Sequence, residues 1–317
     1  MGAATGGPIR PTPVWHGSVG VLTSESLGET GGGRGGPGSF RRLTLRAPEV
    51  AQAARPGQFV HVLCPPGPDP GRAFLRRPLS LHDADPAAET IRLVFRVVGP
   101  GTRALAALRS GDELDLIGPL GNGVFPVLGD RPAILAGGGM GLVPLLLLAK
   151  RLVREMDRRA VPAPLTLLAG VSGSAELALV ELFEVLEGQA EMAVASEEGA
   201  PGTVRGLVTD LLETALRRAA LRWARRPAVY ACGPRPMLAA VQRLVEKAGV
   251  PAWLSVEERM ACGVGACRGC AVPVRGPARY RLACLDGPVF GAEELDFAET
   301  PPGEAEKTPT GSGGERS

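Results

Sequence analysis

An excess of either charge is nearly absent from this chain: 35 Lys plus Arg stand against 33 Asp plus Glu over 317 residues, a net charge near +2. Such a balance makes no general field that would gather nucleic acid or an anionic membrane, so partners have to be argued from sites. A bilayer-spanning run is missing too. The longest apolar stretch, Ile134–Ala149, holds four glycines and Pro144. It falls short of the ~20 residues a span requires and reads as a buried strand, turn and helix. Met1–Trp15 has no apolar run behind a basic start, so the expected location is cytoplasmic. The three histidines, His16, His61 and His82, are scattered without a Ser, Cys or Asp pattern around them, and no catalytic side chain is assigned. No G-x-S-x-G elbow, H-E-x-x-H pair or P-loop occurs, which leaves hydrolase and phosphotransferase readings without a site.

What is present is unevenly placed. Gly, Pro and Thr crowd Met1–Trp15, and Gly28–Gly38 interrupts a hairpin between Ser18–Ser24 and Phe40–Leu45. Both stretches, and the polar tail from Glu299 to Ser317, are expected to be flexible. Short alternating runs at Phe59–Leu63, Leu79–His82, Ile91–Val98 and Glu113–Ile117, separated by Gly or Pro, have the spacing of an antiparallel barrel. At Arg131 the pattern changes. Apolar strands at Ala133–Ala136, Leu165–Ala169, Glu191–Ala195 and Ala228–Ala231 alternate with helical patterns at Val143–Met156, Glu176–Glu187, Val208–Ala219 and Pro236–Ala248, as in a parallel α/β sheet. After Pro251 comes a Cys- and Gly-rich segment. The expected fold is therefore α+β and multidomain: a tail over 1–15, an antiparallel β-barrel over 16–129, an α/β parallel-sheet domain over 130–250, a small C-terminal cysteine-rich domain over 251–297 and a disordered tail over 298–317.

The strongest motif is Cys262-x4-Cys267-x2-Cys270 with Cys284 fourteen residues further on, the plant-type spacing that holds a [2Fe–2S] cluster. Four thiolates must converge on two irons, so the loop wraps tightly, and Gly263, Gly265 and Gly269 allow the close approach. A structural zinc site made of four cysteines is the alternative. Paired C-x2-C knuckles would favour it, whereas one three-cysteine loop with a distant fourth favours iron–sulfur. Cys64 and Cys232 read as buried apolar residues. Around the loop, Val264, Ala266, Val272 and Val289 either pack inward or face a partner.

Three weaker motifs point to nucleotides. Arg76-Arg77-Pro78-Leu79-Ser80 fits a flavin diphosphate, with an Arg binding phosphate bidentately and Ser80 adding a hydrogen bond from the same strand face; a solvated barrel strand would look the same. Val94-Phe95-Arg96 precedes Gly99-Pro100-Gly101-Thr102, where a turn opening a helix offers N–H groups to phosphate. Gly137-Gly138-Gly139-Met140-Gly141 follows a strand and opens a helix, the context of a nucleotide-binding turn, although the full G-x-G-x-x-G is absent and a plain tight turn is the alternative. Cys232-Gly233-Pro234 ends a strand on the side where open α/β sheets take ligands.

From Val19 to Asp296 the sequence resembles the ferredoxin-reductase-like flavoproteins, and within them the iron–sulfur electron-transfer subunits of NAD-linked (B-type) dihydroorotate dehydrogenases. The matching pieces are Arg77–Ser80, Gly118-Pro119-Leu120-Gly121-Asn122-Gly123, Cys232-Gly233-Pro234-Arg235-Pro236-Met237-Leu238, Glu258-Arg259-Met260-Ala261-Cys262-Gly263 and Cys284-Leu285-Asp286-Gly287-Pro288-Val289-Phe290. The resemblance implies FAD on Arg77, Pro78, Leu79, Ser80, Val94, Phe95, Arg96, Gly101 and Thr102, and a [2Fe–2S] cluster on Cys262, Cys267, Cys270 and Cys284. It places NAD, as a substrate, near Gly137, Gly138, Gly139, Gly141, Cys232, Gly233 and Pro234. It further implies a hetero-oligomer with a catalytic FMN-containing dihydroorotate dehydrogenase subunit, whose electrons pass through cluster and FAD to NAD, with no nucleic acid or membrane partner. Reductase subunits of cytosolic hydrogenases and ferredoxin–nicotinamide oxidoreductases share much of the cluster motif and remain an alternative, as does a zinc-containing regulatory or binding protein. The chain departs from the family at Ser196-Glu197-Glu198-Gly199-Ala200, where Thr-Asp-Asp-Gly-Ser is usual, and at Gly28–Gly38.

Overall fold

A computed structural model describes residues 13–28, 38–66, 74–158 and 164–299. The stretches expected to be flexible, Met1–Trp15, Gly28–Gly38 and Glu299–Ser317, lie outside the described residues apart from their ends.

Six strands form a closed barrel: β1 (Trp15–Leu27), β2 (Phe40–Arg46), β3 (Phe59–Val62), β4 (Arg77–Asp85), β5 (Thr90–Arg96) and β6 (Glu113–Leu120), in the order β1-β2-β5-β4-β3-β6. Two short helices, α1 (Pro48–Ala53) and α2 (Pro100–Ala106), interrupt them. All pairings are antiparallel, and closure leaves no strand edge unpaired. Alternation sends Leu43, Leu45, Val60, Val62, Leu114 and Leu116 into one core, while Phe59 belongs to a different core outside the barrel.

The second layer carries β7 (Ala133–Gly138), α3 (Val143–Asp157), β8 (Leu165–Val171), α4 (Leu177–Val180), β9 (Glu191–Ser196), β10 (Val204–Arg205), α5 (Val208–Arg222), β11 (Ala228–Cys232), α6 (Arg235–Ala248) and β12 (Ala252–Ser255). The sheet order is β10-β9-β8-β7-β11-β12-β15, where β15 is Val289–Gly291. Strands run parallel from β10 to β12, and β15 closes the edge antiparallel to β12. Chain order reverses direction between β7 and β11, and the crevice at such a switch point is where doubly wound sheets take ligands. The helix expected over Glu176–Glu187 is instead α4 between two 3-10 turns, Ser174–Glu176 and Glu181–Leu186. Apolar spacing of three to four fits either geometry, so the pattern could not distinguish them.

The cysteine segment adds a two-stranded ribbon, β13 (Ala271–Pro273) with β14 (Tyr280–Leu282). Ala252–Ser255 and Val289–Gly291, grouped with the cysteines on sequence, are paired into the large sheet instead. Their burial explains this: Leu254 and Phe290 are 0% and 3% exposed, and β12 needs a neighbour on its far side. Cys270, Val272, Ala283 and Cys284 share a core with Phe59 and Leu120 of the barrel and Val241 and Val245 of α6. Cluster segment, barrel and sheet are thus packed on one another. The barrel also docks through β4 and α3, where Lys150 Nζ meets Asp83 Oδ2 at 2.7 Å and Arg92 approaches the same oxygen at 2.9 Å.

Candidate functional site

The adjacent arginines at the start of β4 have different tasks. Arg76 donates to the carbonyls of His61 (3.3 Å) and Asp115 (3.4 Å) and pairs with Asp115 Oδ1 at 2.5 Å, which ties β3 to β6. Arg77 donates to the carbonyls of Leu75 and Arg76 in its own turn, and its guanidinium is left half-exposed at the strand's start. Arg77–Ser80 pair residue for residue with Val62–Phe59. Arg77 therefore shares a face with Leu79 and Ser80 with Pro78, which corrects the same-face reading of Arg77 and Ser80. On β5, Val94 and Phe95 are both 2% exposed and can offer a ligand only their backbone. Arg96 is exposed, beside Glu176 at 3.7 Å. The Thr102 hydroxyl is occupied in capping α2: it accepts from Val98 N (2.8 Å) and Gly99 N (3.0 Å). Gly101 and Thr102 keep the N–H groups of a helix's first turn, which have no intrahelical partner.

At the switch point the glycine turn and the Cys232–Pro234 turn come together, because Gly137 and Cys232 are register partners on adjacent strands. A Cβ on Gly141 would lie 2.1 Å from the Cys232 carbonyl oxygen and 2.6 Å from Gly233 N. One on Gly137 would meet Leu142, and one on Gly138 would meet Met237. Three of the four glycines are thus required by contact between the two turns and their helices, whereas Gly139 is required by its φ of +51°. That is a different reason from close approach to a pyrophosphate. Cys232 is buried, and desolvation pushes its thiol up to about 12, so it is a neutral group at the strand's end. Its register partner on β12 is Ser255, and Glu257 follows. Glu257 is accessible yet ringed by protein, and desolvation raises its carboxyl above the ordinary value.

The cysteine loop is built around its sulfurs. Cys262 Sγ accepts from Val264 N (3.5 Å) and Cys267 N (3.4 Å), Cys284 Sγ from Gly265 N (3.2 Å), and Cys267 Sγ from Gly269 N (3.5 Å). Gly263 and Gly265, at φ +71° and +81°, turn these amides inward. Burial would raise the Cys262 thiol, but the amides of Cys267 and Val264 outweigh it and bring it down to about 7. Cys270 and Cys284 are both buried, with sulfurs 3.3 Å apart in a hydrogen bond. Their hydrogen bond lowers the Cys270 thiol and raises that of Cys284. Among the described residues no three His, Cys, Asp or Glu converge as a single ion would require. What the chain presents is a buried pair, Cys270 and Cys284, and a loop carrying Cys262 and exposed Cys267. Of the apolar residues near the loop, Val272 and Val289 are buried, while Val264 is 49% exposed and Ala266 is exposed.

Residues 257–296 match the family described as the iron–sulfur cluster binding domain of dihydroorotate dehydrogenase B. Among curated relatives, the dihydroorotate dehydrogenase B (NAD(+)) electron transfer subunit of Caldanaerobacter subterraneus subsp. tengcongensis is 39% identical over 76% of this chain and 87% of its own length. The same subunit of Bacillus caldolyticus is 41% identical over 80% and 91%. The chain belongs to the family of dihydroorotate dehydrogenase B electron transfer subunits. Among solved structures, a chain of the NADH-dependent reduced ferredoxin–NADP oxidoreductase superposes with a TM-score of 0.69 at 28% identity, covering 88% of this chain and 90% of that one. The ferredoxin reductase of carbazole 1,9a-dioxygenase shares the fold at a TM-score of 0.58 and 20% identity, over 75% and 67% of the two chains.

Two of the family's motifs turn out to hold each other. Gly123 N donates to Gly287 O at 2.9 Å, Asn122 N to Leu285 O at 3.3 Å, and a Cβ on Gly123 would stand 2.3 Å from Val289 O. The end of the barrel is therefore locked to the segment that bears the fourth cysteine. Sequence reasoning passed over two residues that the structure sets beside these candidate sites. His61, assigned no role, leaves the outer face of β3 beside Phe59, is fully buried and lies against Gly263 of the cysteine loop; its place opposite Val60 and Val62 in the alternation was the available signal. Glu257 carried no signal beyond preceding the loop.

Proposed function

We propose that this chain carries electrons from the flavin of a catalytic FMN-containing dihydroorotate dehydrogenase subunit to NAD, using FAD and one [2Fe–2S] cluster of its own. The observation that carries the reading is the cysteine loop, in which main-chain amides face three of the four sulfurs. Hydrogen bonds of that kind favour thiolates and tune a cluster's potential. Cys262, Cys267, Cys270 and Cys284 would be its ligands, and a pair plus a loop suits two irons better than one ion.

The barrel over 16–129 would hold FAD, with Arg77 and Arg96 supplying charge, Ser80 a hydroxyl, Pro78 and Leu79 strand surface, Val94 and Phe95 main chain, and Gly101 and Thr102 amides. The region 130–250 would hold NAD at the switch point, along Gly137, Gly138, Gly139, Gly141, Cys232, Gly233 and Pro234. No Arg or Lys occurs in Gly170–Ala175, and the Glu198 carboxylate stands beside Gly173, an arrangement that favours a ribose hydroxyl over a 2′-phosphate. When bound, flavin supplies the exchange between two-electron and one-electron chemistry and the cluster supplies one-electron carriage. The protein's work is placement: the Gly121–Gly123 and Gly287 contacts hold the cluster segment on the barrel, and the Lys150–Asp83 ion pair between α3 and β4 holds the barrel on the sheet. Every segment of the described chain is taken up by one of these tasks, so dihydroorotate oxidation belongs to the partner chain in a hetero-oligomer, in the cytoplasm. No helix among the described residues is long and apolar enough to cross a membrane.

The test is a visible spectrum of the purified protein with iron, sulfide and flavin analysis, followed by dihydroorotate-dependent NAD reduction with the catalytic subunit added. A flavin and iron–sulfur spectrum with activity only in the mixture is expected. A colourless or zinc-bearing protein would overturn the reading, and a coloured one that serves a hydrogenase-type partner alone would replace it with the reductase alternative.

A further inference from the structure

His61 stands between two candidate cofactor sites and is used by neither as described so far. Its backbone pairs with Pro78, inside the strand segment assigned to FAD, and its carbonyl accepts from Arg76. Its ring goes the other way. The side chain is 0% exposed, and a Cβ placed on Gly263 would fall 2.6 Å from Nδ1 and 3.1 Å from Cγ. The imidazole therefore lies flat against the residue that follows the first cysteine.

Packing alone does not account for a histidine here. Both Nδ1 and Nε2 are buried without a hydrogen-bond partner, and leaving buried polar groups unsatisfied is costly. A Leu or Phe would fill the space without that cost. The main chain against which the ring packs is that of Gly263. Gly263 at φ +71° lets the ring come this close, so the glycine and the histidine fit each other.

We propose that His61 is a positioning residue for the cluster: its buried ring, with Nδ1 the atom nearest Gly263, holds the Cys262–Gly263 peptide, and with it the three-cysteine loop, against the barrel strand that pairs with Arg77–Ser80. This rests on the cluster reading above. One strand then serves both sites, with its backbone on the flavin side and one ring on the iron side. Partners of this kind, one shell out from the metal ligands, are worth 10–100-fold in metal retention or activity when removed.

The experiment uses the full chain with its cofactors and reads two quantities other than turnover: the rate at which a chelator bleaches the cluster, and the EPR spectrum of the reduced cluster. His61→Phe keeps the ring and removes both nitrogens; bleaching about tenfold faster, with an altered EPR line shape and unchanged FAD content, is expected. His61→Asn returns a nitrogen near the Nδ1 position and should restore bleaching to within about twofold of the parent rate, whereas His61→Gln places its nitrogen near Nε2 and should bleach as fast as the Phe variant. The Asn and Gln pair decides the matter even if the Phe variant does not fold. Equal behaviour of Asn and Gln, a parent-like Phe variant, or loss of FAD in step with the cluster would each overturn the proposal. If the parent protein shows no cluster spectrum, it is the proposed function that falls, and this inference with it.

Discussion

Replacing Gly141 by Ala perturbs one methyl at the point where the two candidate nucleotide turns touch. The added Cβ would sit 2.1 Å from the Cys232 carbonyl oxygen, 2.4 Å from its carbon and 2.6 Å from Gly233 N. All three are main-chain atoms, so no side chain can swing away. Relief requires the ends of β7 and β11 to part by roughly an ångström, and overpacking of this kind costs ~1–3 kcal/mol. For an assembly of this size, each kcal/mol lowers Tm by about 2–4 °C, so a fall of roughly 2–12 °C is expected. The same displacement opens the crevice at the switch point, so KM for NADH in dye reduction should rise while FAD stays bound. Gly20→Ala is the control. No atom lies within 4 Å of its Cβ position and its φ is ordinary, so its effect should stay within about 0.5 kcal/mol. Thermal unfolding and steady-state NADH–dye kinetics measure both. A Gly141→Ala protein with parental Tm and KM would refute the contact and, with it, the joining of the two turns into one site.

Four other outcomes are expected. Cys267→Ser should abolish the reduced-cluster EPR signal while leaving FAD in place, because each thiolate supplies a bond to iron; FAD content and EPR together check this. Arg77→Ala should weaken FAD binding by about 10–100-fold, the worth of one charged hydrogen bond, whereas Arg76→Ala should lower Tm with little change in FAD affinity, since Arg76 spends its donors on His61 and Asp115. Burial would raise the Asp83 carboxyl, yet Lys150 and Arg92 hold it below its ordinary value. Its stabilisation is therefore full above the unfolded carboxylate pKa of about 3.9 and lost as pH falls toward the depressed folded value, so unfolding curves of the parent and Asp83→Asn should converge in acid and separate near neutrality. Arg268→Glu, on the exposed loop beside Val264 and Ala266, should leave NADH–dye reduction intact and reduce dihydroorotate-dependent NAD reduction with the partner present; unchanged coupled activity would place docking elsewhere.

The sequence by itself determined what depends on neighbours along the chain. Alternation at Leu43 and Leu45 or Val60 and Val62 marks a barrel strand wherever it is read, and the spacing of Cys262, Cys267 and Cys270 states a ligand loop because three of the four sulfurs lie within nine residues of chain. Glycine at 137–141 after an apolar strand announces a strand–turn–helix unit for the same reason. Tertiary structure decided everything that depends on which surfaces meet. It placed Cys232 against Gly141, took Ala252–Ser255 and Val289–Gly291 into the large sheet, broke the helix expected at Glu176–Glu187, and divided the labour of Arg76 and Arg77. It also turned His61 toward the cysteine loop. Periodicity reports which face of an element is apolar but not what covers that face, and a buried polar side chain such as His61 shows its purpose only beside the main chain it contacts.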